Sequence, residues 1–181
     1  MTATPSTRVR FSLILILIVR FSLIFLAGMV AGAVYCVWLF EYLFMGNAHL
    51  YTELKQIQIQ TLSTPLPTLG AAAILVALIK LYLSRRKRLV FWFTLAGAVL
   101  LVAAALLTAW GHFPLNDQIM TWSPEAPPAE WEQVRDRWRQ THLARTVVTA
   151  LGFACFLLGE IFQRQMRLRR EVDAGNVLAG R

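Results

Sequence analysis

Charged residues are scarce in this chain of 181 residues: they make up 15% of it, whereas hydrophobic residues make up 57%. A water-soluble domain of this size carries a larger charged fraction, so the composition excludes the soluble globular class and indicates an integral membrane protein. Only two cysteines occur, Cys36 and Cys155, and both lie within apolar runs. This usage excludes a disulfide-rich scaffold and indicates small buried thiols.

Familiar catalytic motifs are also missing. The sequence contains no glycine-rich phosphate loop, no His-Glu-x-x-His, no Gly-x-Ser-x-Gly and no Cys-x-x-Cys. Nucleotide hydrolysis, zinc-dependent proteolysis, serine hydrolysis and dithiol redox chemistry therefore have no support.

Basic residues outnumber acidic ones by 18 to 10, and ten of the 18 fall into three clusters. The clusters are Arg8 with Arg10, the run at residues 85–88, and Arg164, Arg167, Arg169 and Arg170. Each cluster flanks an apolar run, as cytoplasmic segments of membrane proteins do, and none forms a nucleic-acid-binding face. The distribution predicts a protein whose partner is the lipid bilayer and not a nucleic acid.

Four apolar runs are long enough to cross a bilayer as helices, at about residues 21–44, 67–84, 89–110 and 146–162. They predict an all-α membrane protein, a bundle of four transmembrane helices. Near the cytoplasmic ends of the spans, Lys80 is expected to extend toward the headgroups, and Glu160 to pair with a nearby arginine.

The spans and the basic clusters together predict a topology. Residues 1–20 form a cytoplasmic or interfacial segment, residues 21–163 the transmembrane domain, and residues 164–181 a loose basic cytoplasmic tail. Both termini are then cytoplasmic, and a bacterial inner membrane is the expected location. The sequence leaves open whether residues 11–19 extend the first helix.

Polar chemistry collects in the two segments that this topology puts on the opposite side, residues 45–66 and 111–145. The three histidines, His49, His112 and His142, all lie there. Glu41, at the outer end of the first span, faces either lipid headgroups or a polar pocket between the helices. Pro114 is expected to end the third helix, and a new helix to start near residue 128.

Along that new helix, residues recur at intervals of four, three, four and three, which aligns them on one face: Trp131, Arg135, Trp138, His142 and Arg145. With no helix breaker after Arg145, this amphipathic helix leads straight into the fourth span. The stripe indicates either an interfacial aromatic belt with arginines at lipid phosphates, or one wall of a site at the mouth of the bundle.

Three short elements carry a family resemblance: the segment from Gln56 to Pro65, the turn Pro114-Leu115-Asn116, and the Trp-x-x-x-His-x-x-Arg-Thr sequence from Trp138 to Thr146. In their order relative to the four spans they resemble the DUF1772 family, the anthrone oxygenase-like family of small membrane proteins. The resemblance implies a four-helix membrane bundle. It also implies oxidation of polyketide anthrones to anthraquinones by dioxygen without metal or flavin, so no cofactor is expected.

An anthrone has an acidic methylene group, so its oxidation needs a base, an anion stabiliser and a flat apolar slot. We assign the base to His142, because imidazole titrates near neutral pH. Arg145 is expected to stabilise the enolate or peroxide anion, and Asn116 to hydrogen-bond a ring oxygen. The predicted substrate-binding residues are Trp138 and Trp122, which stack on the substrate, with Gln56 and Glu41.

Two other interpretations stay open. A non-enzymatic bundle that binds a lipid or quinone-like molecule, or assists a partner membrane protein, has the same apolar interior and polar mouth. A histidine-ligated metal site is the second, although no two histidines have the close spacing typical of ligands, and no metal ligand is assigned. The sequence also leaves open assembly into a homo-oligomer.

Overall fold

The computed structural model describes residues 7–44 and 46–179, and every regular element in these ranges is helical. The long elements are α1 (Thr7–Phe40), α2 (Ala48–Leu62), α3 (Pro65–Ser84), α4 (Arg88–Leu107), α5 (Phe113–Met120) and α6 (Trp131–Ala179). A 3-10 turn, Glu41–Phe44, follows α1, and a π-helical turn, Thr108–His112, joins α4 to α5. The predicted all-α class is confirmed.

Four helices are long and apolar enough to cross a membrane: Leu13–Leu43, Pro65–Ser84, Arg88–Met120 and Trp131–Asp173. They correspond to the four apolar runs of the sequence. Helices α1, α3, α4 and α6 form a ring in which each packs mainly on two neighbours, in the order α1, α3, α4, α6 and back to α1. The short helices α2 and α5 lie at one end of the ring, called here the α2–α5 end.

Small side chains fill the contact region of the ring. The buried cluster consists of Leu23, Ala27, Ala73, Ala77, Ala98, Leu101 and Phe156. Helix association in lipid depends on close packing, and alanine and glycine let the backbones approach. Gly97 marks a close approach of α4 and α6: a Cβ added there would lie 2.5 Å from the Phe156 ring.

We expect Gly97→Ala to lower the free energy of unfolding by about 1–3 kcal/mol, because the added methyl group forces Phe156 and α6 away from α4. The matched control is Gly32→Ala on α1, where an added Cβ meets nothing within 4 Å. Thermal unfolding of the two variants in the same detergent measures the difference. Equal unfolding temperatures would contradict this account of the α4–α6 contact.

Helix α1 answers a question that the sequence left open, the extent of the first helix toward the N-terminus. It runs unbroken from Thr7 through residues 11–19, so these residues do extend the first helix. Arg20, which follows residues 11–19 on α1, donates from Nε to Glu160 Oε2 at 2.6 Å. Lys80 binds the same carboxylate and is buried, so the expectation that it reaches the headgroups is wrong. Pairing with one carboxylate neutralises part of this buried charge and keeps both cations inside the bundle.

The C-terminal segment is more regular than expected. Helix α6 continues without a break to Ala179, so the described part of the tail is helical and not loose. The predicted continuity of the amphipathic segment with the fourth span is confirmed, and the helix begins at Trp131, three residues after the predicted start near residue 128.

Pro114 does not end the third helix, which corrects the sequence interpretation. The chain passes through the π-helical turn Thr108–His112 and continues as α5 to Met120. A proline inside an α-helix lacks its N–H and collides with the carbonyl four residues earlier. The wider π-helical turn just before Pro114 accommodates it, and the Pro-Leu-Asn sequence becomes the first turn of α5.

Candidate functional site

A cavity of about 310 Å³ lies inside the ring near the α2–α5 end. Most of its wall is aliphatic and comes from α1, α2, α3 and α4. Its polar lining residues are Gln58, Ser63, Thr108, His112, Asn116, Trp138, Arg145 and Thr149. The cavity therefore combines an apolar wall with a group of polar side chains contributed mainly by the π-helical turn, α5 and α6.

Arg145 is the charged residue of the cavity, and its side chain is only 8% exposed. One guanidinium nitrogen donates to Thr108 Oγ1 at 3.3 Å and another to His142 Nδ1 at 2.8 Å, while Nε has no partner. Among the described residues, no carboxylate lies within 4.0 Å of Arg145. A buried guanidinium without a counter-ion favours an anion in the adjacent space.

His142 lies beside the cavity and is fully buried. Arginine only donates, so the 2.8 Å contact makes His142 Nδ1 an acceptor. The proton then sits on Nε2, which donates to the carbonyl oxygen of Val34 on α1 at 3.0 Å. Both ring nitrogens are occupied, and the ring holds Arg145 in place against α1. The catalytic role that the sequence assigned to His142 stays a prediction.

His112 is the histidine that lines the cavity. Its Nδ1 lies 3.4 Å from the carbonyl oxygen of Leu107, a long contact that favours the proton on Nδ1 because a carbonyl oxygen only accepts. Its Nε2 is buried and has no partner. The ring meets the edge of Trp138 at a centroid distance of 4.9 Å and His142 at 5.6 Å. His112 therefore lines the cavity and has one imidazole nitrogen without a hydrogen-bond partner.

Trp138 connects the polar residues. Its ring stacks on His142 with centroids 4.7 Å apart, and Lys55 Nζ lies 3.1 Å from its centroid. Both faces of the ring are therefore taken, so an edge of Trp138 lines the cavity. Its Nε1 donates to Asn116 Oδ1 at 2.8 Å. Because the indole N–H only donates, this contact fixes the amide of Asn116 and leaves its NH₂ group as a donor for a ligand.

Glu41 is buried next to the cavity, in a polar pocket and not among headgroups. Its carboxylate accepts from Lys55, which also donates to Gln58 Oε1 at 2.9 Å. Burial lowers the pKa of Lys55 to about 8, and the Glu41 carboxylate opposes that shift. Glu41 therefore neutralises the ammonium group that lies over Trp138, and its predicted contact with substrate stays a prediction.

Gln56 and Trp122 lie outside the cavity wall. The Gln56 amide donates at 3.0 Å to the carbonyl oxygens of Ile119 and Trp122, which ties α2 to the end of α5. Trp122 packs against a buried cluster that includes Trp138. This geometry supports a bracing role for both residues, and the substrate contacts assigned to them stay predictions.

The three histidines do not converge. His49 is exposed on α2, with Nδ1 4.0 Å from Glu53, whereas His112 and His142 are buried beside Trp138. Within residues 7–44 and 46–179, no three histidine, cysteine, aspartate or glutamate side chains are grouped as metal ligands. This placement weighs against a site made of all three histidines.

The sequence interpretation missed His112 and Lys55 as parts of the site. A signal for His112 was present: Thr108, His112 and Asn116 recur every four residues in an otherwise apolar stretch, and all three line the cavity. Lys55 carries no such signal, because its neighbours Glu41 and Trp138 belong to other helices.

Comparison with known proteins gives one family. The model of the family described as anthrone oxygenase matches residues 55–155, more than half of the chain. The matched region begins at Lys55 and includes the π-helical turn, α5 and the polar residues of α6. No curated protein and no solved structure matches the chain.

Proposed function

Because the chain belongs to the anthrone oxygenase family, we propose that it is a membrane oxygenase that oxidises a flat hydrophobic substrate of the anthrone class with dioxygen. The observation that carries the proposal is the polar group of the cavity. The same apolar space is lined by His112, whose Nε2 has no partner, and by Arg145, whose guanidinium has no carboxylate partner among the described residues. The oxidation of a carbon acid needs both groups, because the imidazole can take up the proton and the guanidinium can stabilise the anion that forms.

The cavity suits such a substrate in size and character. Its volume of about 310 Å³ falls at the lower end of the roughly 300–1,000 Å³ of ligand pockets, which are mostly apolar with a few directed polar groups. The aliphatic side chains of Val34, Ile74 and Leu101 form part of its wall. A tricyclic aromatic ketone lies against this wall with its oxygen toward Arg145.

The proposed reaction starts with proton transfer. His112 Nε2 takes one methylene proton of the anthrone, and the negative charge moves to the ketone oxygen, where Arg145 and the Asn116 amide donate hydrogen bonds. This enolate is electron-rich enough to reduce dioxygen. One electron passes to dioxygen, and the two radicals combine into a carbon–oxygen bond, which gives a peroxide at the former methylene carbon.

The second half of the reaction breaks the oxygen–oxygen bond. Protonated His112 returns its proton to the peroxide, and the remaining C–H proton leaves as the carbonyl forms and the outer oxygen departs as hydroxide. The hydroxide takes up that proton to become water. In sum, anthrone and dioxygen give anthraquinone and water, and neither an external reductant nor a cofactor enters the balance.

The test is oxygen consumption by the full-length protein in lipid nanodiscs with anthrone and a metal chelator. We expect oxygen uptake and anthraquinone formation in a ratio of one to one, above the spontaneous oxidation measured in empty nanodiscs. A rate equal to that background, with anthrone still bound under nitrogen, contradicts the oxygenase and supports a membrane protein that only binds flat hydrophobic ligands.

A further inference from the structure

The cavity is open on one side. Its lining residues on α1 and α6 are all buried: Val30, Val34, Val37, Trp138, Arg145 and Thr149. Its exposed lining residues are all on the other side. They are Ser63 just before α3, Ala71 on α3, Ala105 on α4 and Phe113 at the start of α5. The cavity therefore reaches the surface between α3 and α4.

Small residues edge this opening. Ala71 on α3 and Ala105 on α4 both line the cavity and are exposed. Gly70, next to Ala71, also lines the cavity, and a Cβ added to it would meet nothing within 4 Å. Because the side chains at these positions of α3 and α4 are small, they leave the opening between the two helices unobstructed.

The opening lies within the apolar, membrane-length part of both helices. Ala71 is about 20 Å along α3 from Ser84, and Ala105 is about 26 Å along α4 from Arg88, so their heights above the α3–α4 connection differ by about one helical turn. Both belong to membrane-length apolar helices, and hydrophobic side chains on the same helices, such as Leu75 and Val102, are exposed. A molecule passing between Ala71 and Ala105 comes from lipid, not from water.

Polar packing covers part of the cavity at the α2–α5 end. At the α2–α5 end, the Glu41–Lys55 pair lies over Trp138, and Gln56 ties α2 to α5. A flat hydrophobic molecule reaching the cavity from water has to displace this buried ion pair, which is costly. The gap between α3 and α4 needs no such rearrangement.

We propose that the substrate enters and the product leaves sideways, from the hydrocarbon of the bilayer, through the opening edged by Ala71 and Ala105. The identity of the molecule as an anthrone rests on the proposed function, but the path does not. A hydrophobic aromatic ketone concentrates in lipid, so this path takes it directly from where it dissolves to His112 and Arg145 at the inner end of the cavity.

Blocking the opening tests the path. Ala105→Phe fills it, and Ala96→Phe is the matched control, because Ala96 is exposed on the same helix and does not line the cavity. Anthraquinone association with protein in nanodiscs, followed by quenching of tryptophan fluorescence, is expected to be about tenfold slower for Ala105→Phe, and unchanged for Ala96→Phe. Equal association rates for the two variants overturn the proposal.

A second measurement covers the case in which Ala105→Phe does not fold. In a Cys36→Ser, Cys155→Ala background, Ala105→Cys is labelled with a fluorophore and reconstituted with lipids brominated on the acyl chains. We expect strong quenching by these lipids and none by aqueous iodide; the reverse pattern overturns the path. If anthrone is not oxidised but Ala105→Phe still slows the association of anthraquinone, the proposed path stands and the oxygenase proposal fails.

Discussion

Replacing His112 by glutamine is expected to lower kcat for anthrone oxidation by about 10²–10⁴-fold, the range contributed by a positioned general base. Glutamine is close to histidine in size and keeps a polar side chain at the cavity, but it cannot take up a proton. The buried Nε2 of His112 has no partner to lose, so the protein is expected to fold as before. Initial rates of anthraquinone formation in nanodiscs measure the effect, with the unfolding temperature as the check on folding.

His142→Gln is the matched control, and it separates the two histidines. Glutamine can accept from Arg145 through Oε1 and donate to the Val34 carbonyl through its NH₂ group, so it reproduces both hydrogen bonds of His142. We therefore expect His142→Gln to stay within about tenfold of the wild-type kcat, as suits a positioning residue. A larger loss in His142→Gln than in His112→Gln would contradict this assignment and return the base to His142, as the sequence predicted.

The two histidines show which structural features can be predicted from sequence patterns and which cannot. Periodicity predicted the four spans and the continuous α6, because apolar length and the absence of helix breakers are local properties. The same periodicity put Trp138, His142 and Arg145 on one face, and they do lie together. Which of them borders the cavity is decided by neighbouring helices: the Val34 carbonyl of α1 holds the His142 ring beside the cavity wall.

The π-helical turn before Pro114 is the second feature that escaped prediction. Proline statistics favour a helix end, and a turn at residues 114–116 followed from that rule. In the structure the strain is absorbed over Thr108–His112, so His112 and Asn116 stay on one helical path and both line the cavity. Gly111 allows this turn to pack against α6, since an added Cβ would lie 2.5 Å from the Thr141 side chain. Such contacts between distant segments have no signature in a single sequence.

The Glu41–Lys55 pair is a third example. From its position at the end of a span, Glu41 was predicted to face either lipid headgroups or a polar pocket. Its partner Lys55, which decides between the two, lies on another helix. Lys55 in turn holds its charge over Trp138, whose N–H orients the Asn116 amide. The residue types were visible in the sequence, but the chain of contacts from Glu41 to the cavity depends on tertiary packing.

Arg145→Met is expected to lower kcat by about 10²–10³-fold, the effect of removing one preorganised donor that faces a developing anion. Methionine keeps the apolar stem and fills similar space, but it leaves the enolate and the peroxide without a cation. Arg145→Lys is expected to recover only part of the rate, because an ammonium group lacks the planar fork that reaches Thr108, His142 and a ligand together. Anthraquinone formation under air measures both variants.

The same substitution is expected to change stability in the opposite direction. A buried cation with no carboxylate within reach is unfavourable in the resting protein, because no ion pair repays its desolvation, which costs several kcal/mol. Arg145→Met should therefore unfold at a higher temperature than the wild type while losing activity, as expected where function keeps a strained group in place. The control is Arg139→Met on the same helix, whose guanidinium lies 4.0 Å from Asp136 and is partly exposed. If Arg145→Met lost both activity and stability, Arg145 would instead serve the fold. A cation that is kept only to bind an anionic ligand is expected to destabilise the ligand-free protein, so its removal should not lower stability.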